Sequence, residues 1–232
     1  MALRKTPLVT GQIYHIYNRS VAGQPIYREA RENQLFIDAI EHYMFSDTKL
    51  RFSHYLRLDN ELKQKALNSL YVENKTSVDL YAFCVMSNHY HLLVKQNVDN
   101  GISNFISQLQ NSYAKYLNTK LGRSGSLYLS PFSGSIIETT EQFIHVARYI
   151  HLNPLTSYVV RNYSDLSNYL WCSFGDYVGA TNRRFIKSEQ LMSSFTTIKA
   201  FKDFTFDRMD YQRELGRIKH LIFESGVNIP RV

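Results

Sequence analysis

The stretch Val85-Met86-Ser87-Asn88-His89-Tyr90-His91-Leu92-Leu93-Val94 decides the fold. His89–Lys95 reads as a β-strand, Val78–Val85 as the antiparallel strand before it, and Ser87-Asn88 as the turn between them. In a strand, residues i and i+2 point to the same face. His89 and His91 can therefore reach one divalent ion. Histidine is the commonest metal ligand and is expensive to bury without a partner. The pair calls for a third ligand and for a group on which a metal would act.

Outward from this hairpin, helical and extended patterns alternate. Residues 11–17 read as a first strand, with Asn18-Arg19-Ser20 as a polar exit. Between Pro25 and Asp47, the residues Leu35, Phe36, Ala39, Ile40, Tyr43 and Met44 recur at helical spacing. A weaker helical pattern covers 61–72. After the hairpin, Ile102, Phe105, Ile106, Leu109, Tyr113, Tyr116 and Leu117 mark one face of a long helix, which two glycines at 122 and 125 end. Leu127–Ile137 reads as a strand, with Pro131 and Gly134 pointing to a bulge or an edge. Thr139 with Gln142 three residues later is a helix start. The helix it opens carries Tyr149 and Asn153, and Pro154 is expected to disturb or end it.

The order strand, helix, strand, strand, helix, strand, helix predicts an α+β fold of ferredoxin-like or RRM-like type, an antiparallel sheet with helices packed on it. Residues 1–180 are taken as this domain and 181–232 as a mostly helical, basic C-terminal extension, with Ser188 a helix N-cap.

Composition narrows the function. The 232 residues carry 27 Lys and Arg against 20 Asp and Glu, a net charge of +7, which favours a polyanionic partner such as nucleic acid. With 17 Tyr and 14 Phe, rings are available for unpaired bases to stack on, although most belong to the core. No run approaches a membrane span, and the N-terminus lacks an apolar signal core, so a cytoplasmic protein without a membrane partner is expected. Of the two cysteines, Cys84 lies in the apolar strand before the histidines and reads as a buried free thiol.

Tyr149 and Asn153 sit at i and i+4 and share a helix face. An amide oxygen is a competent third ligand for a hard divalent ion. Tyrosine, with a reference pKa of about 10, is a poor nucleophile at neutral pH without help. A metal helps by polarising the attacked phosphoryl oxygen and orienting the leaving group. Two His, one amide and one Tyr thus suit phosphodiester transfer. His151 lies about 200° round the helix from Tyr149 and is left out of the site. Tyr113 and Tyr116 are rival tyrosines, read as packing or base-stacking residues.

These motifs together resemble the single-tyrosine transposases of the HUH superfamily, most closely the REP-associated tyrosine transposases. The resemblance is carried by Met-Ser-Asn-His-Tyr-His-Leu-Leu-Val at 86–94 and Tyr-Ile-His-Leu-Asn-Pro at 149–154. Tyr14-His15-Ile16-Tyr17-Asn18-Arg19-Ser20, Gly125-Ser126-Leu127-Tyr128 and Trp171-Cys172-Ser173-Phe174-Gly175-Asp176-Tyr177 add to it. It spans residues 11–180.

The resemblance implies a metal-dependent endonuclease and strand transferase acting on single-stranded DNA at or near hairpins, through a 5′-phosphotyrosine intermediate. It implies Tyr149 as nucleophile, His89, His91 and Asn153 as ligands, and Mg2+ or Mn2+ as the metal. A homodimer is one assembly found in the family, a monomer another. Arg19, Arg123 and Arg148 are candidate DNA-phosphate contacts. The alternative reading is a non-catalytic single-stranded DNA or RNA hairpin-binding protein on the same fold.

Overall fold

The computed structural model describes residues 7–207 apart from Lys49 and Asn74. β1 (Ile13–Arg19) passes through a short 3₁₀ turn, Val21–Gly23, into α1 (Ala30–Tyr43), α2 (Phe52–Tyr55) and α3 (Asn60–Glu73). β2 (Val78–Met86) and β3 (His89–Gln96) form the hairpin, followed by α4 (Gly101–Leu121), β4 (Ser133–Ile137) and α5 (Thr140–Thr156). The short helices α6 (Tyr163–Leu166), α7 (Phe174–Val178), α8 (Ser188–Met192) and α9 (Ile198–Phe206) complete the described chain.

The strand order is β2-β3-β1-β4, and every neighbouring pair is antiparallel. With helices joining β1 to β2 and β3 to β4, this is the ferredoxin-like arrangement the sequence predicts. Alternation assigns the two faces. Tyr14 and Ile16 of β1 and Tyr90, Leu92 and Val94 of β3 are fully buried on the face covered by α1 and α4. Phe36 of α1 lies 5.3 Å from Tyr90, ring centre to ring centre, and Gln110 of α4 donates to the Tyr90 hydroxyl at 2.7 Å. The other face carries His15, Tyr17, His89 and His91, and α5 lies across it.

Local chemistry sets the helix ends. Glu29 and Glu32 form a reciprocal capping box at α1. Gly122, at φ 60°, ends α4 in the left-handed region, which glycine enters without a steric cost. The Thr139 hydroxyl accepts from the Gln142 backbone N–H at 3.1 Å, and the Gln142 side chain reaches back to the Glu138 backbone N–H at 2.8 Å. This is the start expected from sequence.

Three expectations need correction. The strand expected over Leu127–Ile137 is split: Tyr128 makes only an isolated bridge to Ser20, a cis Ser130-Pro131 bond follows, and regular pairing begins at Ser133. The edge role holds, since β4 flanks β1 alone, and a Cβ on Gly134 would lie 2.8 Å from the Ile16 side chain. Pro154 does not end α5, which runs on to Thr156. Its ring removes one donor near the helix end, and its own carbonyl accepts from Val159 and Val160 at 2.9 and 3.0 Å. The N-cap of α8 is Lys187, with Ser188 the first helical residue.

The boundary drawn at residue 180 falls inside packed structure. The outer edge of β2 is covered by chain from both sides of it: Val85 N–H donates to Trp171, Ser173 N–H to Phe83 and Lys187 N–H to Leu80. Arg183 pairs with Asp176 at 2.6 Å, and Leu191 and Phe201 are buried in the common core. The rest of the proposed extension, 208–232, lies outside the described residues. Cys84 and Cys172 are both free and buried. No helix among the described residues is long and apolar enough to cross a membrane.

Candidate active site

The site is built by register. Tyr17 lies opposite His91 and Arg19 opposite His89 across the β1–β3 pair, while Cys84 and Met86 of β2 flank the same two histidines on the other side. Residues opposite one another in an antiparallel pair share a face. His15, Tyr17, Arg19, His89 and His91 therefore form one patch. α5 closes it with Tyr149, whose ring stands edge-on to His91 at 5.3 Å and to His15 at 5.9 Å. One turn further, the Asn153 Oδ1 lies 3.4 Å from His89 Nε2. The spacing of His89 with His91 and of Tyr149 with Asn153, read as two separate pairs, converges on one place.

Each imidazole is held from behind. His89 Nδ1 lies 2.7 Å from the Asn88 side-chain oxygen, and His91 Nδ1 lies 3.0 Å from His15 Nε2. His15 is the residue of this patch that sequence reasoning passed over. It belongs to the first-strand motif, and its alternation with Tyr17 was legible; its partner could be known only from the register of β1 on β3.

Burial keeps the histidines uncharged. It lowers the pKa of His15 to about 3 and that of His89 to about 4, the latter partly restored by the Asn153 oxygen, which can accept from Nε2 of the charged ring, and lowered further by the Arg19 charge. Burial, with His15 and His89 as neighbours, holds His91 well below its ordinary value. Neutral imidazoles offer a lone pair, the form a metal ligand requires. Among the described residues no cluster of three or more His, Cys, Asp or Glu side chains could hold a metal ion. Beside His89 and His91, Asn153 supplies an amide oxygen as a third donor.

The three candidate arginines separate. Arg19 extends over Gly23, where a Cβ would lie 3.1 Å from its Nη2, and its charge is felt at His89. Its Nε is buried without a hydrogen-bond partner. Arg123 is half-buried beyond the end of α4, its guanidinium 3.4 Å from the Ser126 carbonyl. Arg148 is a correction. It is 1% exposed, donates to the carbonyls of Thr205 and Asp207, and stacks over Phe204 at 4.9 Å. Adjacent helix residues are about 100° apart, so Tyr149 facing the sheet turns Arg148 away from the site and toward α9.

The tyrosines and histidine set aside earlier lie elsewhere. Tyr113 is on the opposite face and donates to the Ile26 carbonyl at 2.5 Å; Tyr116 packs beside it. His151 is fully buried, 2.9 Å from the Ser173 hydroxyl.

Residues 48–153 match the family model described as transposase IS200 like. That span runs from the loop before α2 to Asn153, and so includes both histidines, Tyr149 and the amide. The match covers just under half of the chain, which over that span is similar to the IS200-like transposases. A solved structure of a REP-associated tyrosine transposase bound to a REP hairpin is similar at 13% identity and a TM-score of 0.48, over 81% of this chain and 98% of that one. A comparison with curated proteins finds no significant match.

Proposed function

We propose that this protein is a transposase, a metal-dependent endonuclease and strand transferase acting on single-stranded DNA at or near hairpins. The observation that carries the reading is the meeting of Tyr149 and Asn153 on α5 with His89 and His91 on β3. A protein that only binds nucleic acid has no need of that set. His89, His91 and Asn153 would hold Mg2+ or Mn2+, and their chemistry fits: two uncharged imidazoles and an amide oxygen, with no carboxylate required. The metal would polarise a phosphoryl oxygen and orient the leaving group.

The chain's own residues account for the remaining steps. The Tyr149 hydroxyl attacks the scissile phosphorus, an O–P bond forms, and the bond from phosphorus to the 3′-oxygen breaks. The phenolic proton passes to water, and the departing 3′-oxygen takes up a proton. The 5′ side stays on the protein as a phosphotyrosine ester. A 3′-hydroxyl can later attack that ester, which restores Tyr149 and rejoins strands without an external energy source. Packing against His91 and His15 limits the ring's freedom, so the nucleophile is oriented before DNA arrives. Arg19 would meet a backbone phosphate beside His89, and the net positive charge favours the polyanion. We place the protein in the cytoplasm.

The test is incubation with labelled single-stranded hairpin DNA and Mn2+. The reading expects a protein–DNA adduct that survives denaturation and a free 3′-hydroxyl on the released strand. Tight hairpin binding without cleavage or adduct, over a panel of hairpins with varied flanks, would favour the non-catalytic binder.

A further inference from the structure

The turn between β2 and β3 is fixed by four hydrogen bonds to the chain just after β1. Ser20 N–H donates to the Asn88 carbonyl at 2.9 Å, and Ile26 and Tyr27 N–H groups donate to the Ser87 carbonyl at 2.7 and 3.0 Å. The fourth comes from the Asn88 side chain, whose Nδ2 donates to the Gly23 carbonyl at 3.0 Å. A carbonyl accepts only, so this last bond sets which way the Asn88 amide faces. Its oxygen must then point to His89, and it lies 2.7 Å from Nδ1. Gly23, at φ 65°, sits where a residue with a side chain would strain the backbone and crowd Arg19.

An amide oxygen has no proton to give. The proton in the Asn88–His89 bond therefore sits on His89 Nδ1. A neutral imidazole carries one ring proton, which leaves Nε2 bare, and Nε2 is the atom 3.4 Å from the Asn153 oxygen. We infer that Asn88 is a positioning residue that fixes His89 in the Nδ1–H tautomer, so that Nε2 is presented as a ready ligand. Gly23 and the 20–27 segment are the scaffold that holds Asn88 in this role. In its bearing on metal binding, the inference rests on the reading above. The tautomer itself does not.

Long-range nitrogen–proton NMR correlation on the metal-free full chain near neutral pH tests it, with His89 assigned by the signal lost in His89→Gln. The expected spectrum shows His89 protonated at Nδ1 and bare at Nε2. A proton on Nε2 in the wild-type chain overturns the inference without recourse to any variant.

Two variants extend the test. Asn88→Ala removes the acceptor: His89 shifts toward the Nε2–H tautomer, and Mn2+ affinity falls about 10- to 100-fold. Asn88→Asp keeps an acceptor oxygen, so it retains the Nδ1–H tautomer and most of the affinity. Unchanged tautomer and Mn2+ affinity in Asn88→Ala would overturn the role. If the wild-type chain binds no Mn2+, the metal reading fails, while the wild-type tautomer still decides whether Asn88 positions His89.

Discussion

Tyr90 and His91 are consecutive residues of β3 and face opposite layers of the molecule. Both are buried, at 0% and 5% exposure, so burial does not distinguish them. Their partners do. On the side of α1 and α4, Tyr90 accepts from Gln110, Tyr113 donates to a backbone carbonyl, and the Tyr27 and Tyr128 hydroxyls bond each other at 2.7 Å. On the side of α5, three histidines and an arginine crowd together, and His15 Nδ1 and Arg19 Nε are buried without hydrogen-bond partners. Buried polar groups are ordinarily satisfied, and each exception calls for an explanation. Between the sheet and helices α1 and α4, these tyrosine hydroxyls are paired within the fold, whereas two polar atoms of the patch facing α5 are not, as the proposed function expects of a surface that takes up a ligand.

The largest expected effect separates two tyrosines. Tyr149→Phe should reduce adduct formation below about one ten-thousandth of wild type, as loss of a nucleophile does, while the melting transition shifts by about 1 kcal/mol or less. Tyr113→Phe should do the reverse: it loses one buried hydrogen bond, about 1 kcal/mol, and keeps the adduct. Gel analysis of the adduct beside thermal melts reads both.

Next is acidity. His42 of α1 packs against the stacked Phe52 and Tyr55 rings, and burial lowers its pKa to about 4. Between there and the unfolded value of about 6.5, the unfolded chain binds a proton that the native state does not. The contribution of His42 is therefore greatest above pH 6.5, falls as the pH drops toward 4, and levels off below, by up to about 3 kcal/mol. His42→Leu should make denaturation measured across that window less steep by the share of one histidine, the buried His15, His89, His91 and His151 supplying the remaining slope. An unchanged slope would mean that His42 is charged in the fold.

Third, His91→Ala should weaken Mn2+ binding beyond the roughly 10- to 100-fold that losing an outer partner costs, whereas Tyr90→Phe should leave it unchanged. Titration calorimetry on both variants tests whether the faces are as separate as their contacts. The smallest effect concerns the arginines. Arg19→Ala should reduce the salt dependence of single-stranded DNA binding by about one phosphate contact. Arg148→Met should leave that slope alone and instead destabilise the fold by about 2 kcal/mol, through carbonyls left unpaired near α9.

Much of this arrangement was legible in the sequence, for identifiable reasons. Period-two alternation around Tyr90 and helical spacing along α4 and α5 gave the elements, and the i, i+4 relation gave Tyr149 with Asn153. Most of the misses were tertiary or involved proline. His15 needed the β1–β3 register. Leu127–Ile137 looked continuous because a cis peptide bond has no sequence signature beyond the proline itself. Pro154 misled in the other direction: it costs α5 one backbone hydrogen bond, yet the helix runs on to Thr156. Arg148 was avoidable: with Tyr149 facing the sheet, its neighbour had to point away.

The most direct measurement of the central claim is peptide mapping by mass spectrometry of the denaturation-resistant adduct formed on labelled single-stranded hairpin DNA with Mn2+. The account predicts the nucleotide mass on the peptide containing Tyr149. The mass on a peptide containing Tyr113, Tyr116 or any other residue would contradict it.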